Sequence, residues 1–282
     1  MRFNLRVIVE NSACLSDASI WSQHGLCLFV DMDVGSDKMR MLIDTGTSPE
    51  VTVHNIDALD LDFDDVDLIF LSHGHYDHTG GLIGILGLMS RKVPVLAHPG
   101  IFSPKLKSHP FLRFIGPPFS RTQAEDAGAI MLESVGPVRV AERVMTTGEI
   151  ERAVPFEKVK GFWTIKDNLY CPDTIPDDQA LIANIEGKGL VVITGCAHAG
   201  VVNTIRHAQK IMGVEKLYAV IGGFHLMDAD DERIASTAEA LLELDPSIVR
   251  PGHCTGQKAT SYLQQMLGDR CRPLATGDLI TL

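Results

Sequence analysis

The sequence predicts an α/β sandwich with its helices on the outside, and three observations carry that prediction. The first part of the chain reads as short, apolar, β-branched strands. The last third alternates strand and helix. Between them, residues 99–180 form a less regular, proline-rich stretch.

The opening strands cover residues 5–9, 26–30 and 40–43, followed by 69–72 and 93–97. Their runs of Val, Ile, Leu and Phe suit buried strands. Gly80-Gly81 precedes an apolar stretch that opens a helix. Seven prolines lie from Pro99 to Pro155, with Pro172 and Pro176 beyond them, and strand-like pieces at 130–132 and 138–141 sit among loops. This stretch reads as a cap-like insertion within one domain spanning residues 1–282, because long irregular segments are commonly functional. After it, a strand at 190–193 leads to a helix with Val201, Val202, Ile205, Ala208, Ile211 and Met212 at helical spacing. A strand at 217–221 leads to a helix with Ile234, Ala238, Leu241 and Leu242 on one face, and one at 248–249 to a helix with Ala259, Tyr262, Leu263 and Met266. A last strand lies near Leu279. Thr-Gly ends a strand-like stretch at 45–46, 147–148, 194–195 and 276–277, which marks tight loops at the sheet ends.

Composition narrows the function classes. The 282 residues suffice for one large domain or two small ones, and 45% hydrophobic with 22% charged residues is ordinary for a globular protein. The 25 Lys and Arg against 36 Asp and Glu leave a net charge of −11, which argues against a nucleic-acid partner. The longest apolar runs fall far short of the roughly 18 residues a membrane span needs. The N-terminal stretch shows no signal-peptide core. Six cysteines are scattered with no CxxC pair, so a reducing, cytoplasmic setting is expected. The chain contains no GxGxxG, P-loop or GxSxG motif, which sets aside dinucleotide, nucleotide-loop and serine-hydrolase chemistry.

The strongest signal is Ser72-His73-Gly74-His75-Tyr76-Asp77-His78-Thr79-Gly80-Gly81, immediately after a strand. His73 and His75, two apart on an extended loop, can aim at one metal ion; Asp77 and His78 can reach a second position. Imidazole with carboxylate suits zinc, one or two ions per chain, with iron or manganese as rivals. Three later histidines each follow a strand and a glycine: His198, His225 and His253. Parallel strands in βα units end on one edge, so these three are expected to gather as further ligands. Cys196 is a candidate soft ligand, or a small buried thiol.

His73-Gly74-His75-Tyr76-Asp77-His78 matches the HxHxDH motif of the metallo-β-lactamase superfamily, Leu42-Ile43-Asp44-Thr45-Gly46 resembles its earlier strand-Asp-x-Gly motif, and Pro251-Gly252-His253 resembles its last histidine motif. His24-Gly25-Leu26, Thr147-Gly148-Glu149, the stretch 177–180, the stretch 195–200 and Gly222-Gly223-Phe224-His225-Leu226 are similar to one subgroup. That subgroup comprises the archaeal dihydropterin–ribofuranosylaminobenzene phosphate synthases and uncharacterised bacterial relatives. The resemblance implies a four-layer αββα sandwich with metals at one edge, and Asp44 as a buried carboxylate orienting the histidine loop. It also implies a metal-bridging Asp where this chain has Cys196.

The expected activity is hydrolysis of a small, anionic, phosphorylated or ester substrate by a metal-activated water, with Asp77 as base. The alternatives are a transferase joining dihydropterin methyl diphosphate to an aminobenzene ribose phosphate, and a non-catalytic metal or ligand sensor. Glu149, Arg152, Phe156 and Glu157 are the candidate substrate contacts, with Arg152 as a phosphate fork and a carboxylate for a pterin edge. Asp177 and Asp178 are explained by turn chemistry, with substrate or ligand contact as the alternative. Lys105 and Lys107 are read as exposed lysines able to attract an anion. A monomer or homodimer is expected.

Overall fold

A computed structural model describes residues 2–14, 18–34 and 37–282. The chain divides into two compact units, one of residues 2–135, 159–177 and 275–282, the other of residues 136–158 and 178–274.

In the first unit a seven-stranded sheet runs in the order Leu279–Thr281, Phe3–Val9, Cys27–Val34, Asp37–Ile43, Leu68–Phe70, Val93–Ala97 and Ala129–Glu133. The first four strands pair antiparallel and the remaining junctions are parallel. Parallel neighbours need crossovers, and the helices Pro49–Ala58, Leu82–Leu86 and Arg121–Asp126 lie in them. Their apolar residues pack with Ile8, Leu42, Ile69 and Val95 into one core. The helix Pro49–Ala58 was not expected from its β-branched sequence; Ser48 followed by Pro49 was the available start signal.

The second unit holds a six-stranded sheet in the order Ile248–Gly252, Leu217–Gly223, Gly189–Thr194, Ala180–Ile185, Val144–Thr146 and Arg139–Ala141. The first three strands are mutually parallel. The helices Val201–Met212, Asp231–Leu244 and Gln257–Leu267 follow them, and the apolar faces foreseen from spacing are buried against the sheet as one core. Gly213, in the left-handed region at φ +64°, ends the first of these helices.

Residues 99–180 are more regular than their prolines suggest. They supply strands to both of these sheets and build a third, antiparallel sheet of Leu169–Pro172, Phe162–Lys166, Leu106–Lys107 and Arg113–Phe114 within the first unit. Strands of two to five residues among prolines carry little periodic signal.

Candidate metal centre

The histidine loop begins where the strand Leu68–Phe70 ends, beside the end of Asp37–Ile43. Asp44 closes that neighbouring strand in the left-handed region, at φ +60°, with its carboxylate fully buried. Oδ1 accepts the Ser72 amide at 2.7 Å, and Oδ2 accepts the Ser72 hydroxyl at 2.8 Å and meets His78 Nδ1 at 2.6 Å. A carboxylate oxygen only accepts, so Nδ1 carries the His78 proton and Nε2 presents a lone pair. The same logic reaches His73. Because the Ser72 hydroxyl donates to Asp44, it accepts from His73 Nδ1 at 3.0 Å, which leaves the lone pair on Nε2. That nitrogen lies 3.0 Å from His75 Nδ1. Asp44 thus fixes two imidazole tautomers, one directly and one through Ser72. Ser72 was missed as a functional residue, although it stands inside the quoted motif.

Burial drives the His73 pKa well below its ordinary value and that of His75 down to about 3, helped for His73 by its histidine neighbours. Both rings are therefore neutral at physiological pH, the form that ligates a metal. His75 precedes the one-turn helix Tyr76–Thr79, which carries Asp77 and His78. Asp77 Oδ2 lies 3.2 Å from Nε2 of the half-exposed His24. Converging neutral imidazoles beside a carboxylate fit a divalent transition metal by donor chemistry.

Gly74, between the two histidines, donates its amide to Asp177 Oδ2 at 2.8 Å. Asp177 is fully buried and also pairs with Lys105, which lies 3.3 Å from Asp173. Lys105 is 1% exposed, which corrects the expectation of an exposed anion-attracting lysine. An interior ammonium is tolerated here because two carboxylates neutralise it. Lys107 is half-buried, with its ammonium 5.7 Å from the Phe162 ring centre.

In the second unit, the three parallel strands end on one edge and carry the later candidates there. The His198 and His225 ring centres stand 4.2 Å apart. Donor atoms of Cys196, His225 and Cys254 lie within 4.8 Å of one another. His253 is buried directly after Ile248–Gly252. Ala197, His225 and His253 are left-handed at φ +54°, +48° and +51°, conformations that cost non-glycine residues energy and gather at functional sites. Asp178 Oδ2 accepts the Ala199 amide at 2.8 Å and so holds the loop bearing His198. Cys254 was not among the sequence candidates; its position one residue after His253 was the only signal.

The four proposed substrate contacts separate. Glu149 and Arg152 are exposed, and Phe156 packs partly buried against the core. Glu157 is buried, and its carboxylate accepts the Val202 and Asn203 amides at 2.9 and 2.7 Å. It caps the helix Val201–Met212, whose start, Gly200 at φ +102°, provides no side-chain cap. A Cβ at position 200 would collide with that carboxylate, so the glycine makes the approach possible. Replacing Glu157 with Ala is expected to cost about 1–2 kcal/mol, read as a shift in the denaturant midpoint. Burial outweighs the two amides and raises the Glu157 pKa. A carboxyl raised in the folded state contributes most below its unfolded pKa and loses that contribution as pH rises through the folded one. The Glu157→Ala deficit is therefore larger in mild acid than at neutral pH.

Residues 39–266 match the model of the beta-lactamase superfamily domain. The chain belongs to the metallo-β-lactamase superfamily. The 7,8-dihydropterin-6-methyl-4-(beta-D-ribofuranosyl)-aminobenzene-5'-phosphate synthase of Methanocaldococcus jannaschii is 36% identical over 94% of this chain and 92% of its own length. An uncharacterised protein of the same organism is 29% identical over 93% and 94%. A solved metal-dependent hydrolase of the superfamily superposes with a TM-score of 0.84 at 24% identity, covering 99% of each chain. The architecture is the metallo-β-lactamase fold. Among the described residues no helix is long and apolar enough to cross a membrane.

Proposed function

We propose that this superfamily member is a metal-dependent hydrolase of a small phosphorylated or ester substrate. Its metal ligands are His73, His75, Asp77 and His78 of the histidine loop. The observation that carries this reading is the Asp44–Ser72 anchor, which holds the protons of His73 and His78 on Nδ1 and so leaves their lone pairs on Nε2. Zinc is the ion this donor set suits best, with iron or manganese next.

A bound divalent ion would polarise a carbonyl or phosphoryl oxygen and offset charge developing on it. Asp77 receives the proton of the attacking nucleophile, and His24 at 3.2 Å steadies its carboxylate. His73 and His75, kept neutral by burial, hold no competing proton at working pH.

A second reading is favoured by the 36% identity to the M. jannaschii synthase along nearly the whole chain. In it the protein transfers the dihydropterin methyl group from a diphosphate to an aminobenzene ribose phosphate. One assay separates the two: diphosphate release from dihydropterin methyl diphosphate by the metal-loaded protein, with and without the arylamine. Release that requires the arylamine supports the transferase. No release, together with turnover of a phosphodiester, ester or lactone, supports the hydrolase. The His75→Ala variant should lose metal and activity together in either case. Metal binding with no turnover of any of these substrates would overturn both readings.

A further inference from the structure

We propose that Lys107 and Arg113 form a phosphate-monoester subsite, which holds a non-reacting phosphate of the substrate beside the histidine loop. This rests on the reading of that loop as the reacting centre. Both residues lie in the antiparallel third sheet of the first unit. Arg113 pairs in register with Lys107, and Lys107 with Phe162. Directly opposite residues on neighbouring strands share a face, so the three form one row across the sheet. The row ends at the histidine loop, where the Phe162 ring stacks on His75 with ring centres 5.4 Å apart and planes inclined by 21°. The Lys107 ammonium stands 5.7 Å from the centre of the same ring. Burial falls along the row: Phe162 is buried, Lys107 half-buried and Arg113 exposed.

The backbone ties the same strand to the histidine loop. The amide of Tyr76, between His75 and Asp77, donates to the Ile115 carbonyl at 2.9 Å, just beyond Arg113–Phe114. Tyr76 also packs against Ile115, Phe162 and Ile175. The charge of Arg113 reaches the Tyr76 phenol, where it opposes the rise that burial and Asp77 impose on the phenol pKa.

Like charges directly opposite each other destabilise a strand pair. Among the described residues no carboxylate pairs with Arg113, whose guanidinium lies 6.0 Å from the Phe111 ring centre. Sheet stability gives no reason for facing cations in a chain with 36 acidic residues against 25 basic ones. An anion seated between them turns the repulsion into attraction. A phosphate monoester carries about two negative charges at neutral pH, which matches the two cations. The guanidinium forks two phosphate oxygens and the ammonium acts as a point charge on the third. A carboxylate, with one charge, would leave one cation without a counter-charge.

Phenyl phosphate, titrated calorimetrically into the chelator-stripped full-length chain, tests the subsite without any metal. Arg113→Gln and Lys107→Gln should each weaken binding about tenfold, the scale of one lost charge-assisted contact. Arg113→Lys, which keeps the charge and loses the fork, should recover part of that loss. Arg139→Gln, at an exposed arginine of the other unit, should leave the affinity unchanged. Benzoate should bind the parent about tenfold more weakly than phenyl phosphate. Circular dichroism of each variant checks the fold. No binding by the parent, equal affinity in the parent and the folded Arg113→Gln, Lys107→Gln double variant, or benzoate bound as tightly as phenyl phosphate would overturn the proposal. Metal content by elemental analysis reports on the histidine loop separately. Metal uptake without the affinity difference removes the subsite alone, whereas the affinity difference in a chain that takes up no metal keeps the phosphate site and removes the loop as reacting centre.

Discussion

Replacing Lys105 with methionine is expected to destabilise the fold by about 3–5 kcal/mol, the largest single-residue effect anticipated outside the apolar core. The ammonium sits in the interior between Asp173 and Asp177. Methionine conserves most of the volume, so the loss would not be a cavity effect. It would arise because two buried carboxylates are left without their cation, at a place where water cannot replace it. The consequence should extend to the histidine loop, because Asp177 also accepts the Gly74 amide between His73 and His75. Chemical denaturation of Lys105→Met measures the loss. Adding Asp173→Asn and Asp177→Asn to the same chain should recover part of it, since no unpaired charge then remains and an amide oxygen can still accept from Gly74. A single variant within 1 kcal/mol of the parent, on the order of a surface change, would show that the triad is not a structural clasp.

Converting Asp44 to asparagine should weaken metal binding by about 10–100-fold with a much smaller effect on folding. The change is isosteric, yet it inverts hydrogen-bond polarity. Asp44 now receives three donors: the Ser72 amide, the Ser72 hydroxyl and His78 Nδ1. Asparagine offers one accepting oxygen, and the Ser72 amide claims it. The new NH2 group then faces His78 Nδ1 and the Ser72 hydroxyl. His78 can meet that donor only by moving its proton to Nε2, which removes the lone pair assigned to the metal. Ser72 loses the acceptor that fixed its hydroxyl and, through it, the His73 tautomer. Competition against a chelator of known affinity, with melting curves for both chains, measures the effect. Unchanged affinity would mean that the metal does not use these two imidazoles.

The candidate centre was legible from the sequence wherever it is local. Four donors within six residues after a strand, and histidines following glycine at strand ends, are short-range patterns set by the strand-to-loop transition itself. The helices of the second unit were legible for the same reason: Val201, Ile205 and Ala208, or Ile234, Ala238 and Leu241, repeat at the helical period and face one core. The four strands of the third sheet, Leu106–Lys107, Arg113–Phe114, Phe162–Lys166 and Leu169–Pro172, were not, because two to five residues cannot display a period.

The amino-acid order by itself determined the metallo-β-lactamase fold class, the alternation of strand and helix, and the residue types placed at the strand ends. Tertiary structure decided what those residues do. Lys105 looked like any surface lysine until the fold brought it to carboxylates 68 and 72 positions away. Glu157 looked like a substrate contact until its oxygens met a helix start 45 and 46 positions on. Cys254 became a partner of Cys196, 58 positions earlier, only when parallel strands laid their ends side by side. The physical reason is common to all three. A charge or a thiol costs or gains free energy according to what surrounds it after burial, and those surroundings come from distant segments that no local pattern specifies.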